Sequence, residues 1–267
     1  MPTPEYLLRS MQQSAEHLRA MSEKMDAPWR PEGSDPRRLH NMYIRCLITA
    51  YSAKFSQLLS VLLTSVKDEN YLGYALSGRA LIETTATLRY YVLHQYKPLL
   101  DKPSLSLNEF KTLIDIDDRH LRGGRFNWEA FLANKYDELQ SDAEAQLASS
   151  KSKQRHVAKG IIAEQVNVMT CIERWAKESP AVLVTYSLFC DLVHPNIGSA
   201  FLVASTDSAA LHFCQTKGDS VGQSIVSQTL PFLSACTLKP FGDHLGMLIA
   251  SIWADDELPG SQQDTAR

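Results

Sequence analysis

Arg79 and Glu83 are the residues whose types and spacing first suggest chemistry in this chain. Four residues apart, they share one face of a helix and can form a charge-assisted pair. At about 100° per residue, Leu72, Ala75, Leu76, Ile82, Ala86, Tyr90 and Leu93 fall within one arc, and Arg79 and Glu83 lie inside it. The pair is therefore expected in the buried stripe of an apolar helix. Charges placed there need further polar partners, because desolvation otherwise outweighs their mutual attraction. Ser187, Cys190, Asp191 and His194, at the end of a later helix just before Pro195, offer those partners. Asp191 lies one turn behind His194 and can orient its imidazole. If the two helices face each other, Arg79, Glu83, Asp191 and His194 meet. Two readings share that geometry: a satisfied polar network that fixes helix register, and a pocket that binds an anionic ligand or a partner.

A metal is the next chemistry to weigh. D-x-x-H occurs at Asp117/His120 and at Asp191/His194, and Glu83 adds a carboxylate, which echoes the i, i+3 carboxylate and histidine pairs of di-iron bundles. Such bundles use the longer Glu, and E-x-x-H pairs are absent here. Asp117 and Asp118 read equally as the solvated end of a helix beside Arg119 and Arg122. The chain has no P-loop, no G-x-G-x-x-G after a strand, no G-x-S-x-G and no H-E-x-x-H, so no cofactor is expected. Basic residues at Arg119, Arg122 and Arg125, and at Lys151, Lys153, Arg155 and Lys159, read as solvated loops rather than phosphate contacts.

Composition sets the frame for these residues. With 267 residues, 44% of them hydrophobic, the chain can bury a substantial core. A formal charge of -3 gives no net attraction to nucleic acid or anionic lipid, which argues against a general nucleic-acid coat protein. Cys46, Cys171, Cys190, Cys214 and Cys236 form no C-x-x-C pair and sit in apolar stretches, as expected of reduced thiols in a cytoplasmic protein. Residues 1–25 lack a signal peptide's uninterrupted apolar core, and the apolar run Phe55 to Val66 is far short of a membrane span of about 20 residues. No membrane association is expected.

The elements that must position the candidate site are helical. Leu7, Met11, Leu18, Met21 and Met25 place an amphipathic helix over residues 1–25. A linker follows at residues 26–36, with Pro28, Pro31, Gly33 and Pro36, which would let that helix swing away or pair with another subunit. Asp35 and Pro36 cap and start a central helix running to about Val66. A third helix is expected from Tyr71 to about Tyr96, ended by Pro98. Helices are expected over Leu105 to Leu121 and Asn127 to Leu147, with a charged, mobile insertion near residues 137–160. Helical periodicity returns over Ile161 to Trp175, from Pro180 to His194, and from Ser220 to Trp253, where Pro231 and Pro240 predict a bend or restart. A small hairpin or irregular insertion is expected after His194, and residues 255–267 read as a disordered tail. The chain thus reads as an all-α, antiparallel helical bundle, with residues 37–254 forming a single domain.

The helix G-R-A-L-I-E-T at Gly78 to Thr84, followed by Y-S-L-F-C-D-L-V-H-P at Tyr186 to Pro195, resembles a bacterial family of all-helical, HEPN-like domains of unknown function. The resemblance spans about Leu39 to His194. It implies an antiparallel bundle, often in abortive-infection or toxin-antitoxin settings, with RNases among the relatives. RNase-type relatives carry R-x4-6-H with a polar residue after the arginine; the match here is Arg89 to His94, with Tyr90 after the arginine. On a regular helix these two side chains stand about 140° apart and could not aim at one phosphate unless the helix is broken or a second subunit contributes. The leading expectation is a non-catalytic or cryptically catalytic defence or regulatory module, a homodimer through its helices, with a protein partner or RNA as ligand. The alternatives are a metal-independent RNase, in which Arg and His act on the ribose 2'-hydroxyl and the phosphate, and a metal-binding carboxylate and histidine bundle.

Overall fold

Asp35 starts the longest helix as its position predicts: its carboxylate accepts the Arg37 amide at 3.0 Å, and Pro36 occupies the first turn. The computed structural model describes residues 3–25, 27, 31–102, 105–122, 128–141, 167–194 and 221–256. Every regular element among them is a helix. They run α1 (Pro4–Lys24), α2 (Pro36–Lys67), α3 (Tyr71–Tyr90), a first π turn (Tyr91–Tyr96), α4 (Lys97–Leu100), α5 (Leu107–Arg122), α6 (Trp128–Leu132), α7 (Val168–Ala176), α8 (Ala181–Val193), α9 (Val221–Leu233), a second π turn (Ser234–Leu238) and α10 (Lys239–Asp256). The expected hairpin after His194 and most of the 137–160 insertion lie outside the described residues. Cys46 and Cys171 are buried thiols as expected, whereas Cys190 is half-buried.

The bundle is built around α2 and α3. Phe55, Leu59 and Leu62 of α2 are fully buried, and Phe55 stacks on Phe241 of α10 with centroids 3.8 Å apart. α2 is long and apolar enough to cross a membrane by composition, and half of its most apolar window is buried by the other helices. α1 does not swing away. It runs antiparallel along α2, burying Leu7, Met11, Ala15 and Leu18, and Ser56 donates to the Ala15 carbonyl at 2.8 Å. The linker supplies the reversal, and the apolar stripe of α1 finds its partner within the chain.

Both π turns are followed directly by Lys-Pro, at Lys97-Pro98 and Lys239-Pro240. Proline lacks the amide that would bond four residues back, and its ring crowds that carbonyl. A turn widened to i→i+5 bonding relieves the crowding. Lys97 accordingly donates to the Val92 carbonyl, and the helix continues through Pro98 to Leu100 instead of ending before it. The expected helix from Asn127 to Leu147 is interrupted: α6 stops at Leu132, and Asn134 adopts a left-handed φ of 56°.

α3 and α8 pack antiparallel, and Gly78 sets their distance. A β-carbon at Gly78 would meet the buried Phe189 ring at 2.7 Å. Gly78→Ala is therefore expected to lower stability by about 1 to 3 kcal/mol through overpacking, although alanine is the better helix former. Chemical denaturation measures this, and a stabilised variant would refute the close approach.

Candidate functional site

Arg79 and Glu83 pair as their spacing predicts, with Nε donating to Oε1 at 2.9 Å, but not in a buried stripe. They are 37% and 29% exposed, on the rim of the seam between α3 and α8. Leu72 and Leu76, which share their stripe, are exposed as well. α3 packs against α2, α7, α8, α9 and α10, so residues all round it are apolar, and the arc expected from periodicity straddles the edge of the core: Ala75, Ile82 and Ala86 are buried, while Leu72, Leu76, Arg79 and Glu83 lie on its outer side. The inward face is Tyr74, Ala75, Gly78, Leu81, Ile82, Thr85 and Leu88.

From α8 it is Tyr186, not His194, that completes the pair. Its hydroxyl donates to Glu83 Oε1 at 3.0 Å, and the Arg79 guanidinium lies over its ring at 5.5 Å. Burial first, then the neighbouring Cys190 and Glu83, pushes the Tyr186 hydroxyl's pKa up, so it stays a donor. Asp191 and His194 are exposed and make no bond to Arg79 or Glu83 among the described residues. Eight residues beyond Tyr186, His194 lies about 12 Å further along the axis. In an antiparallel pair that puts it level with the start of α3. Pro195 ends the helix there, holding His194 extended at ψ 140°. Arg79 is thus oriented by a carboxylate and an aromatic ring. Among the described residues its terminal nitrogens and Glu83 Oε2 meet no protein partner, so the pair offers donors and an acceptor side by side.

Arg89 and His94 each have another neighbour. Arg89 is paired with Glu178, and His94 is exposed, with its ring against Tyr90 at 5.4 Å.

The buried ionisable cluster lies elsewhere. Asp117 is completely buried, not at a solvated helix end, and contacts His40 of α2 through Oδ2 and Nδ1 at 2.6 Å. Tyr91 donates to Asp117 Oδ1 at 2.5 Å. Ser251 donates to the Leu248 carbonyl, and Tyr96 donates to Ser251 at 2.8 Å. The Tyr96 oxygen must then accept from His40 Nε2, 3.1 Å away. With that imidazole proton committed, one further proton lies between His40 Nδ1 and Asp117 Oδ2, and the pair is neutral whichever atom holds it. Burial pushes the Asp117 carboxyl up, against the lowering effect of His40 and Tyr91.

The first π turn makes this cluster. On a regular helix Tyr91 and Tyr96 would point about 140° apart. The widened turn sets their rings 5.5 Å apart, one hydroxyl on Asp117 and the other against His40. His120, one turn on from Asp117, donates from Nε2 to Gln95 at 2.7 Å and packs on the Tyr91 ring at 4.5 Å. Its Nδ1 is buried without a partner. Burial, then the nearby Arg119, lowers its pKa to about 4, which keeps it neutral. Asp118 accepts from Tyr43 at 2.9 Å. The cluster pins α2, α5, the π turn and α10 together.

The metal candidates do not converge. Glu83 serves the α3 and α8 seam, Asp117 and His120 belong to the α5 cluster, and Asp191 and His194 lie at the end of α8. Among the described residues, no three of His, Cys, Asp or Glu are grouped to hold a metal. A signal for the α5 cluster was present in the sequence: Phe110, Leu113, Asp117 and Leu121 share one helical stripe, which places Asp117 inward.

In comparison with known proteins, the chain matches no family model, no curated protein and no solved structure.

Proposed function

We propose that this protein is a helical-bundle binding module that docks a protein partner on the face formed by α3 and α8. The observation that supports it is the company Arg79, Glu83 and Tyr186 keep. The exposed Leu72 and Leu76 of α3 and the exposed Leu183 of α8 lie on the same side of the seam as this oriented polar group, and the exposed Val184 and Leu188 continue the apolar surface round the outer face of α8. Interfaces take this form, with apolar area around a few arginine and tyrosine anchors. The side-by-side donors of Arg79 and acceptor of Glu83 suit a backbone amide better than a bare anion, because Glu83 offsets the arginine's charge. The resemblance to HEPN-like domains extends the proposal to a defence or toxin-antitoxin setting, in which the module regulates by binding.

The test is capture from an extract of the native cells, with parent and Val184→Glu proteins as bait. Val184 is 70% exposed, so the variant keeps its fold. A protein retained at least tenfold better by the parent is expected, equivalent to about 1.4 kcal/mol at the face. Equal retention by both baits would refute this surface. Cleavage of RNA by the purified protein without metal, abolished by His94→Ala, would replace the binding reading with the nuclease one.

A further inference from the structure

His120 is held with one ring nitrogen in use and the other sealed in. Nε2 donates to Gln95 of the first π turn at 2.7 Å, while Nδ1 is buried with no partner. A proton arriving at Nδ1 would create a cation whose new N–H bonds to nothing, and a buried charge left unpaired costs far more than a buried neutral group. Among the described residues no carboxylate is placed to receive it. On its own helix, Arg119 adds like charge, and Asp117 is spent on Tyr91 and on its neutral pair with His40 of α2. Asp118 turns to Tyr43, also of α2. From the π turn the facing groups are the uncharged Gln95 and Tyr91, whose ring is tilted 54° to the imidazole.

The helix that carries His120 is also one that the bundle can spare. α5 packs chiefly against α2 and the first π turn, and its buried side chains are Phe110, Leu113 and Asp117. It meets α2 at Arg37, His40 and Tyr43, whereas the stack of Phe55 on Phe241 that joins α2 to α10 lies about three turns further along. α1, α3 and α10 pack on α2 without the help of α5. We propose that α5 is an acid-released helix: protonation of His120 at Nδ1 lifts α5 from α2 and the first π turn while the remaining helices stay packed. Peripheral units held by few apolar contacts open in this way at less than the global cost of unfolding. Once α5 is lifted, the imidazolium reaches water, and the face of α2 around His40 and Tyr43 is uncovered. This switch lies apart from the α3 and α8 face, so it stands or falls independently of the docking proposal.

Hydrogen exchange of the purified full chain tests the proposal, read by mass spectrometry in α5 and in α3 and corrected for intrinsic rates. His120 has its ordinary value of 6.5 on the lifted helix and about 4 on the docked one. Between pH 7 and pH 5 that difference raises the population of the open form about twentyfold. The α5 amides of the parent are therefore expected to gain about twentyfold more exchange over this interval than those of His120→Phe. The α3 amides are expected to change alike in both proteins. Should the variant not fold, the parent alone decides: its α5 amides gain about threefold or more, the His40 and Asp117 pair opposing part of the effect, while α3 keeps its protection. A parallel gain in α5 and α3 of the parent is global unfolding and overturns the proposal. So does an α5 gain that is equal in His120→Phe, or an α5 that keeps its protection at pH 5.

Discussion

Replacing Asp117 by alanine is expected to lower the stability of this protein by about 3 to 5 kcal/mol, the cost of removing one member of a buried ion-pair network. For a chain of this size that corresponds to a fall in midpoint of about 6 to 20 °C. The Asp117 side chain is fully buried, accepts from Tyr91 and shares a hydrogen bond with His40. Its loss leaves a phenol and an imidazole nitrogen unsatisfied inside the bundle, where each costs about 1 to 3 kcal/mol. Asp117→Asn keeps the shape and an oxygen for Tyr91, and its amide can donate to a neutral His40, so a smaller loss is expected. A double variant, His40→Phe with Asp117→Leu, removes both polar groups and is expected to regain part of the loss. Thermal or chemical denaturation of the set checks this. An Asp117→Ala protein within about 1 kcal/mol of the parent would show that the network does not hold the four elements together.

The second large effect is a dependence on pH carried by His120. Its pKa falls from an ordinary 6.5 to about 4 in the folded state, chiefly through burial. A base whose folded value is depressed binds fewer protons when folded. Its stabilising contribution is complete above about pH 6.5 and is lost as the pH falls to about 4. The loss amounts to at most about 3 kcal/mol, at roughly 1.4 kcal/mol per pH unit. His244, lowered by burial, acts in the same direction. Asp117, raised by burial, acts in the opposite one. Both remain in His120→Phe, so the difference between parent and variant isolates His120. The parent is expected to lose about 6 to 12 °C more than His120→Phe between pH 7 and pH 4. Parallel curves would show that His120 is solvated rather than buried.

Much of this architecture was legible in the residues themselves. Asp35 with Pro36 caps its helix through its own side chain, and the break ending at Asn70 precedes α3 as expected, so a few residues contain their meaning, whereas Asn167, the cap of α7, lies inside the helix expected from Ile161. The pairing of Arg79 with Glu83 was legible for the same reason, since a four-residue interval on one helix is local geometry. Pro195 ended α8 as expected, because its ring restricts the residue before it. Pro98 misled because the chain answered it with a wider turn rather than a stop, and nothing in the local pattern distinguishes those two responses.

Tertiary structure decided the rest. Which part of α3 faces inward depends on five neighbouring helices, so one apolar arc could hold the buried Ala75, Ile82 and Ala86 together with the exposed Leu72 and Leu76. His194 misses Arg79 because two antiparallel helices meet at Gly78 and Phe189, and that register places it about one and a half turns past the contact. Asp117 and His40 are 77 residues apart and meet because α2 packs on α5, and the π turn points two tyrosines at the pair. The sequence by itself determined what each segment does within its own reach of a few residues: helix starts, caps, periodicity and the i, i+4 pair. The burial of a charge, the face left open on α8 and the partners of each histidine were settled by contacts between distant segments, because desolvation depends on everything that packs around a group and not on its neighbours in the chain.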